Sequence, residues 1–317
     1  MHVPRVPFLS RTCLSILPET QFMVFAMKKK ILVSALLVFA VLVLILGYVT
    51  HISISQCRTE LEIVSHTLET DFTHPIRIVQ LTDLHSHSFG SDNEKLIRLI
   101  LQQDPDLIVM TGDMMDDSDE SPDVVCHLIR ELSGHVPVWY GYGNHEREWM
   151  NITGTDLTSI LEEAGATVLT NEYRDITVNG QEIRIGGHHA YYRYTGMYKI
   201  SPEQSKEETD FANSFEATDR FKLLLCHIPT VWLDWKNIDM FPVDLVLTGH
   251  YHGGQIRLPL LGPLYAPYIG FFPEYTEGLF IGQEAACVLS RGLGSSPGIP
   301  RINNLPEITV IDLIPKQ

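Results

Sequence analysis

The chain has 317 residues and carries 23 lysines and arginines against 39 aspartates and glutamates, so its net charge is −16 with histidine neutral. Hydrophobic residues make up 44% and charged residues 20% of it, a balance that excludes a disordered chain, a fibrous repeat and a multi-pass transporter. The negative charge argues against a nucleic-acid partner, because phosphate backbones favour lysine and arginine surfaces. An anionic substrate stays possible if a bound metal ion inverts the local charge. The fourteen histidines are many for this length, and histidine is the commonest metal ligand.

An apolar segment without charges occupies residues 31–49, and as a helix it is long enough to cross a hydrocarbon core of ~30 Å. Three lysines precede it directly, whereas only Arg58 is positive in residues 50–69. The positive-inside rule therefore predicts a cytoplasmic stretch 1–30, a transmembrane anchor 31–49 and the remainder outside the cell membrane. A cleaved signal peptide is the alternative, but no small-x-small cleavage site follows the long apolar run closely. We expect Met27 to be the true start and residues 1–26 to be a gene-model extension.

Residues 50–75 are expected to be a linker with one strand at 61–64. Beyond them, apolar runs predict strands at 76–81, 106–110, 136–140, 221–225, 244–247, 255–258, 278–281, 286–289 and 307–313. Helices are predicted at 93–103, 122–132 with Ser121 as its N-cap, 153–164 and 202–217, the last as an insertion or lid. Asn179-Gly180 predicts a hairpin turn. This alternation favours one domain with a largely parallel, covered sheet to which later hairpins add antiparallel strands.

Five predicted strands end in the same kind of polar residue. The endings are Asp83 and His85, then Asp113, then Asn144 and His145, then His227, and finally His250 and His252. The carboxyl ends of strands in a covered parallel sheet share one edge, so these side chains should converge there. Asp83 and His85 are two residues apart and would point the same way in an extended chain, as would His250 and His252.

Oxygen and nitrogen donors of this kind suit manganese, iron, zinc or a similar ion rather than a soft thiolate site. A single D-x-H or H-x-H motif is more often structural or solvated than metal-binding. Five such endings in order are hard to attribute to chance, and their candidate ligands exceed what one ion needs. Two ions roughly 3.5–4 Å apart, sharing a carboxylate, would use them all.

These motifs resemble the calcineurin-like metallophosphoesterase superfamily in order and spacing. The resemblance rests on D-x-H at 83–85, G-D at 112–113, G-N-H-E at 143–146, the histidine at 227 and G-H-x-H at 249–252. It extends over residues 76–315 as the catalytic domain, and its long C-terminal part is similar to the membrane-anchored or exported bacterial branch. The resemblance implies an α/β sandwich with two central mixed β-sheets flanked by helices, here preceded by one N-terminal transmembrane helix.

By motif position, the resemblance implies a role for each residue. One metal would be bound by Asp83, His85 and His252, the other by Asn144, His227 and His250, with Asp113 bridging both and His145 stabilising the transition state or protonating the leaving oxygen. Two divalent ions are implied, manganese first, with iron, zinc, nickel or magnesium as alternatives. His188, His189 and Arg257 are the candidate substrate contacts.

The implied activity is hydrolysis of a phosphodiester or pyrophosphate bond, in a lipid-linked or cell-envelope substrate of the UDP-diacylglucosamine or phospholipid/teichoic type. The alternatives are a membrane-anchored, metal-bearing scaffold without turnover and an unrelated metal hydrolase; the intact His145 argues against the first and the opening D-x-H against the second. The acidic run 113–123 is read as a solvated loop, with a third cation site as the alternative. The aromatic segments 191–198 and 260–275 could line a lipid chain, touch the bilayer or pack under a loop.

Overall fold

The computed structural model describes residues 19–188, 202–267, 269–296 and 298–316. Its contacts divide the chain into a unit Met1–His51 and a unit Ile52–Gln317. The helices are α1 Glu19–Thr59, α2 Glu94–Leu101, α3 Asp123–Ser133, α4 Asn144–Thr153, α5 Leu157–Ala164 and α6 Pro202–Glu216. The strands are β1 Glu62–Thr70, β2 Ile76–Leu81, β3 Leu107–Met110, β4 Val138–Gly141, β5 Ala166–Leu169, β6 Glu172–Val178, β7 Gln181–Gly187, β8 Phe221–Leu225, β9 Leu245–Thr248, β10 Ile256–Leu258, β11 Gly262–Ala266, β12 Gly270–Phe271, β13 Gly278–Ile281, β14 Ala286–Leu289 and β15 Glu307–Pro315.

Helix α1 contains the predicted apolar segment. Its stretch Met23–Thr59 is long and apolar enough to cross a membrane, and its most apolar part is not buried. The expectation of one N-terminal apolar helix is therefore confirmed. Length and composition of this kind are shared by membrane anchors and signal sequences.

Two six-stranded mixed sheets form the centre of the second unit, as expected. The first has the order β1-β15-β2-β3-β4-β5 and the second β13-β14-β9-β8-β7-β6. Strands β2 to β5 are parallel to one another, as are β7, β8, β9 and β14. Strand β15 runs antiparallel to β2, β13 runs antiparallel to β14, and β6 runs antiparallel to β7. A separate sheet of β10, β11 and β12 was not predicted.

Alternating side chains of β2 show how the layers pack. Ile76 and Ile78 face the second sheet and join a core between the two sheets, whereas Val79 and Leu81 face the other way, into a core with α2, α3 and α5. This period of two is what a strand covered on both faces requires. The outer face of the second sheet is covered by α6 through Phe211 and Phe215. The described part of α6 is therefore a core layer and not a lid.

Several boundaries differ from the predictions. The segment expected to be a linker contains the end of α1 and the nine-residue strand β1, which pairs with β15 over its full length. Helix α3 begins at Asp123, and Ser121 Oγ donates to the Asp123 carboxylate instead of capping the helix. The helix predicted from residue 153 begins at Leu157 with Asp156 as its cap.

Candidate metal centre

The carboxyl ends of five strands place the predicted side chains together. Asp83 and His85 follow β2, Asp113 follows β3, Asn144 and His145 begin α4 directly after β4, His227 follows β8, and His250 and His252 follow β9. Three buried groups arise in which one ligand atom per residue lies within 4.8 Å of the others: Asp83, His85 and His252; Asp113, His227 and His250; and His85, Asp113 and His145. Each group could hold a metal ion, and their shared members join them into one centre.

The group around Asp113 is the most compact. Asp113 Oδ2 lies 2.9 Å from His227 Nε2 and 3.9 Å from His250 Nδ1, and the two histidine nitrogens are 3.2 Å apart. His227 Nδ1 donates to the Thr111 carbonyl at 2.8 Å, so Nε2 is the nitrogen left to bind an ion.

The electrostatics of this group favour a cation. Burial lowers the pKa of His227, but the facing Asp113 carboxylate outweighs it and raises that pKa to about 10. Burial opposes ionisation of Asp113, yet His227 and its neighbours hold the pKa of that carboxyl well below its ordinary value. Because the same negative potential attracts a proton and a divalent cation, the site favours bound positive charge.

In the described part of the chain, the group around Asp83 offers ring nitrogens without a hydrogen-bond partner. His252 Nε2 lies 3.6 Å from Asp83 Oδ1. His85 Nδ1 donates to Asp116 at 2.6 Å, and His85 Nε2 is then buried without a hydrogen bond to any described residue. The same is true, among the described residues, of His252 Nδ1 and Asn144 Oδ1. Buried polar atoms without partners are costly, so three such atoms on predicted ligand residues fit metal binding better than a purely structural role.

The backbone reaches this geometry through left-handed turns. Asp83, His85, Asp113, His250 and His252 have φ of 53°, 47°, 51°, 70° and 49°. The backbone at the pairs 83/85 and 250/252 is therefore not extended, and the prediction that extended chain makes their side chains point the same way is wrong. The side chains meet because tight turns curl the backbone around the centre, with the His250 amide donating to both Asp83 oxygens at 3.0 Å.

Glycines next to these turns allow close approach, as expected. A Cβ on Gly143 would lie 2.2 Å from Asp113 Oδ1, and one on Gly249 would lie 2.3 Å from Asp83 Oδ2. Neither position can carry a side chain without moving a carboxylate. These two glycines are thus part of the metal centre although they offer no ligand.

Glu146 holds the centre together, a role that was not predicted for the last residue of the G-N-H-E motif. Its fully buried carboxylate accepts hydrogen bonds from the amides of Asp113, Met114 and Gly143 at 2.9, 2.7 and 2.9 Å, and from the Tyr140 hydroxyl at 2.7 Å. Burial and the nearby Asp113 raise the pKa of Glu146. The three-residue spacing from Gly143 to Glu146, typical of a capping box, is the signal that could have found it.

His145 is oriented by the acidic loop that follows β3. The Asp117 amide donates to His145 Nδ1 at 3.3 Å, and carboxylate oxygens of Asp116 and Asp117 lie 3.8 and 3.6 Å from the same nitrogen. Asp119 accepts from the Ser86 hydroxyl at 2.5 Å. The reading of this run as a solvated loop is therefore wrong for Asp116 and Asp119, which are built into the wall of the site.

The predicted substrate contacts have other surroundings. His188 is buried against Phe211, and burial lowers its pKa to about 3. His189 lies outside the described residues. Arg257 donates to the Gly253 carbonyl at 2.9 Å and pairs with Glu277 at 2.5 Å, so a phosphate would have to compete with that carboxylate.

A cavity opens beside the metal centre at His85. It has a volume of about 610 Å³ and is lined by the last turns of α1 and by the loop after β14, including Ile54, Cys57, Arg58, His87, Leu293 and Ile299. We call it the His85 cavity. Its wall combines apolar side chains with one cation and several hydroxyl and backbone groups, so it suits a ligand that is partly apolar and partly charged.

Residues 76–254 match the family of calcineurin-like phosphoesterases, and the chain belongs to that family. It is thus a hydrolase acting on phosphoric ester bonds, as expected. The chain is 31% identical to the metallophosphoesterase YkuE of Bacillus subtilis over 84% of its own length and 89% of that protein. It is 30% identical to the phosphodiesterase YaeI of Escherichia coli (80% and 88%). It is 28% identical to the UDP-2,3-diacylglucosamine pyrophosphatase LpxG of Chlamydia trachomatis (75% and 83%).

Proposed function

We propose that this protein hydrolyses a phosphodiester or pyrophosphate bond in a lipid-linked cell-envelope substrate, using two divalent cations of which manganese is the first candidate. The observation that carries the proposal is the pair of buried ligand groups on either side of Asp113, next to a cavity of mixed character. Asp83, His85 and His252 would bind one ion. Asn144, His227 and His250 would bind the other, with Asp113 between them.

The bound ions would neutralise the phosphate and lower the pKa of the attacking water. The protein then has to position the ester and supply a proton to the leaving oxygen. His145 is the candidate donor of that proton. Its Nδ1 accepts from the Asp117 amide, so the neutral ring carries its proton on Nε2, the nitrogen free to donate. The Asp117 amide and the carboxylates of Asp116 and Asp117 near Nδ1 orient the ring.

Two observations support a lipid-linked substrate. The His85 cavity brings Ile54, Cys57 and Ile299 to the edge of the metal centre, with Arg58 at hand for a second anionic group. One relative, LpxG, is named for a diacylated nucleotide sugar. A substrate with an apolar chain on one side of the scissile phosphate and a polar group on the other fits such a site.

The proposed placement of the protein rests on α1. We propose a single-pass membrane protein whose catalytic domain lies outside the cytoplasm, because the lysines precede the apolar segment. A tag after residue 317, probed with a non-permeant protease in intact cells, tests this orientation. A protected tag would contradict it.

The activity is tested on the full-length protein in detergent, with Mn²⁺ and bis-p-nitrophenyl phosphate. His145→Ala should lower kcat at least about 100-fold while Mn²⁺ still raises Tm, because the ligands remain. Asp113→Asn should lose both the activity and the rise in Tm. His135→Ala, on an exposed histidine, is the matched control and should leave both unchanged.

Activity that survives Asp113→Asn and His145→Ala would refute the proposed centre. A rise in Tm with Mn²⁺ in a wild-type protein that turns over no phosphoester would favour the metal-bearing scaffold instead. The substrate class is tested by comparing envelope lipids cleaved by wild-type and His145→Ala protein. Cleavage of soluble esters with no change in any lipid would contradict the lipid-linked substrate alone.

A further inference from the structure

The three-stranded sheet of β10, β11 and β12 exposes an unusual amount of apolar surface. Among the described residues from Ile52 onward, ten large hydrophobic side chains are exposed, and five of them lie between residues 260 and 272. They are Leu260, Leu261, Ile269, Phe271 and Phe272, and four of the five are at least 70% exposed. Single exposed hydrophobics need no explanation, but a cluster on one small sheet marks a surface that meets something apolar.

The turns of this sheet use apolar residues where folding alone would favour others. Leu260 has φ of 67° and Phe272 has φ of 55°. Such left-handed positions are ordinarily filled by Gly, Asn or Asp, which adopt them at little cost. Leu260 is fully exposed, so packing against the described residues does not explain its side chain. Its apolar character is instead consistent with a contact outside the chain.

The same sheet is tied to the end of α1. Asn303 donates its amide to Ser53 Oγ at 2.6 Å. Its neighbour Ile302 exchanges backbone hydrogen bonds with β10 and the residue before it, through Gln255 and Arg257 at 3.1 and 2.9 Å. Ser53 is only four residues beyond Val49, the end of the apolar segment. Four residues of even fully extended chain reach no more than about 14 Å.

We infer that the exposed tips of this sheet are a membrane-contact surface that inserts into the bilayer holding α1. The inference rests on the proposed membrane placement of α1. Aromatic and aliphatic side chains at loop tips are typical of interfacial insertion, where they remove apolar area from water without crossing the membrane. The bilayer is the apolar surface that the chain itself brings within reach.

This contact would set the position of the metal centre. Strand β10 begins four residues after His252, and the Arg301 side chain links the His252 carbonyl to the carbonyls of Arg291 and Gly294. The His85 cavity, lined by Gly294 and the last turns of α1, belongs to the same part of the domain. Docking of the sheet would thus hold the mouth of that cavity at the lipid surface.

The test places an environment-sensitive fluorophore on full-length protein in vesicles of phosphatidylethanolamine and phosphatidylglycerol. Leu261→Cys and, separately, Phe272→Cys are labelled with NBD, and quenching by lipids brominated on the acyl chain is measured. Unsubstituted protein gives the background from native cysteines, and the four in the described part of the chain are buried. Quenching at both positions should exceed that of the control at least about threefold, with blue-shifted emission.

The matched control is Ile281→Cys, an equally exposed apolar residue at 67%. Ile281 lines a cavity with Thr70, at the far end of β1, and nine strand residues separate Thr70 from α1 by about 30 Å. Labels at 261 and 272 that are quenched no more than the label at 281, in protein that floats with vesicles, would overturn the inference alone. Protein that does not float would overturn the membrane placement and this inference together. The phosphoesterase assay in detergent is independent of both outcomes.

Discussion

Replacement of Glu146 by glutamine tests how the metal centre is assembled. The carboxylate accepts three backbone amides and one hydroxyl. Glutamine keeps one acceptor oxygen and replaces the other by an amide group. The Tyr140 hydroxyl can turn and accept from that group, but at least one of the three backbone amides is left facing a donor.

Two effects oppose each other in this variant. An orphaned buried amide together with the loss of charge-assisted bonds costs about 3–4 kcal/mol. Removal of a buried charge, whose cost is visible in the raised pKa of Glu146, returns about 1–2 kcal/mol of that. The orphaned donors outweigh the recovered desolvation, so Glu146→Gln should lower the free energy of unfolding by about 2 kcal/mol and Tm by about 4–8 °C.

The measurement is thermal unfolding of full-length protein in detergent, followed by tryptophan fluorescence without added metal. Glu148→Gln lies in the same helix on an exposed residue and should change Tm little. An identical Tm for the two variants, or a more stable Glu146→Gln protein, would refute the idea that this carboxylate organises the turns after β3 and β4.

The pH dependence of stability tests the burial of the Glu208 carboxyl group, and Gly143→Ala tests the position of the Asp113 carboxylate. Burial raises the Glu208 pKa from 4.5 to about 7, so the folded state binds the extra proton and loses stability as pH rises through this window. In urea titrations, Glu208→Gln should therefore have a free energy of unfolding about 2 kcal/mol higher than wild type near pH ~8 and an equal one at pH 4.5. Glu163→Gln, on an exposed residue of α5, should show no such gain. A gain independent of pH would contradict this. Gly143→Ala should lower kcat about 100-fold by displacing the carboxylate, whereas Gly134→Ala, whose Cβ would meet only Arg130 O at 3.8 Å, should retain activity. Equal activities would show that the turn can relax.

The parts of the fold that could be predicted are those whose signal is local. Runs such as 76–81 and 244–247 are mostly apolar, and each is followed by a polar residue, so both the strands and the convergence of their ends could be inferred. The predicted reason for the convergence, an extended backbone, was wrong. The left-handed backbone at Asp83 and His85 depends on contacts with the loops after β3 and β9. Those contacts cannot be inferred from the spacing of residues along the chain.

Other elements could not be predicted because their patterns are weak. Helix α4 begins within the G-N-H-E motif, and few apolar residues mark its buried side. The sheet of β10 to β12 is short and half exposed, without the alternation that identifies a buried strand. The role of Glu146 depends on four partners from three segments. A long-range hydrogen-bond network of this kind leaves no periodic trace in a sequence.

The pairing of β15 has a consequence for the order in which the chain can fold. This strand lies between β1 and β2, and partners such as Gln80 and Thr309 are more than two hundred positions apart. During synthesis, β1 and β2 therefore each keep an unpaired edge until β15, a much later segment, has been made. Non-local pairing of this kind folds slowly, and an open strand edge can recruit other chains. The first sheet thus exposes the nascent protein to misassembly at the edge that β15 finally closes.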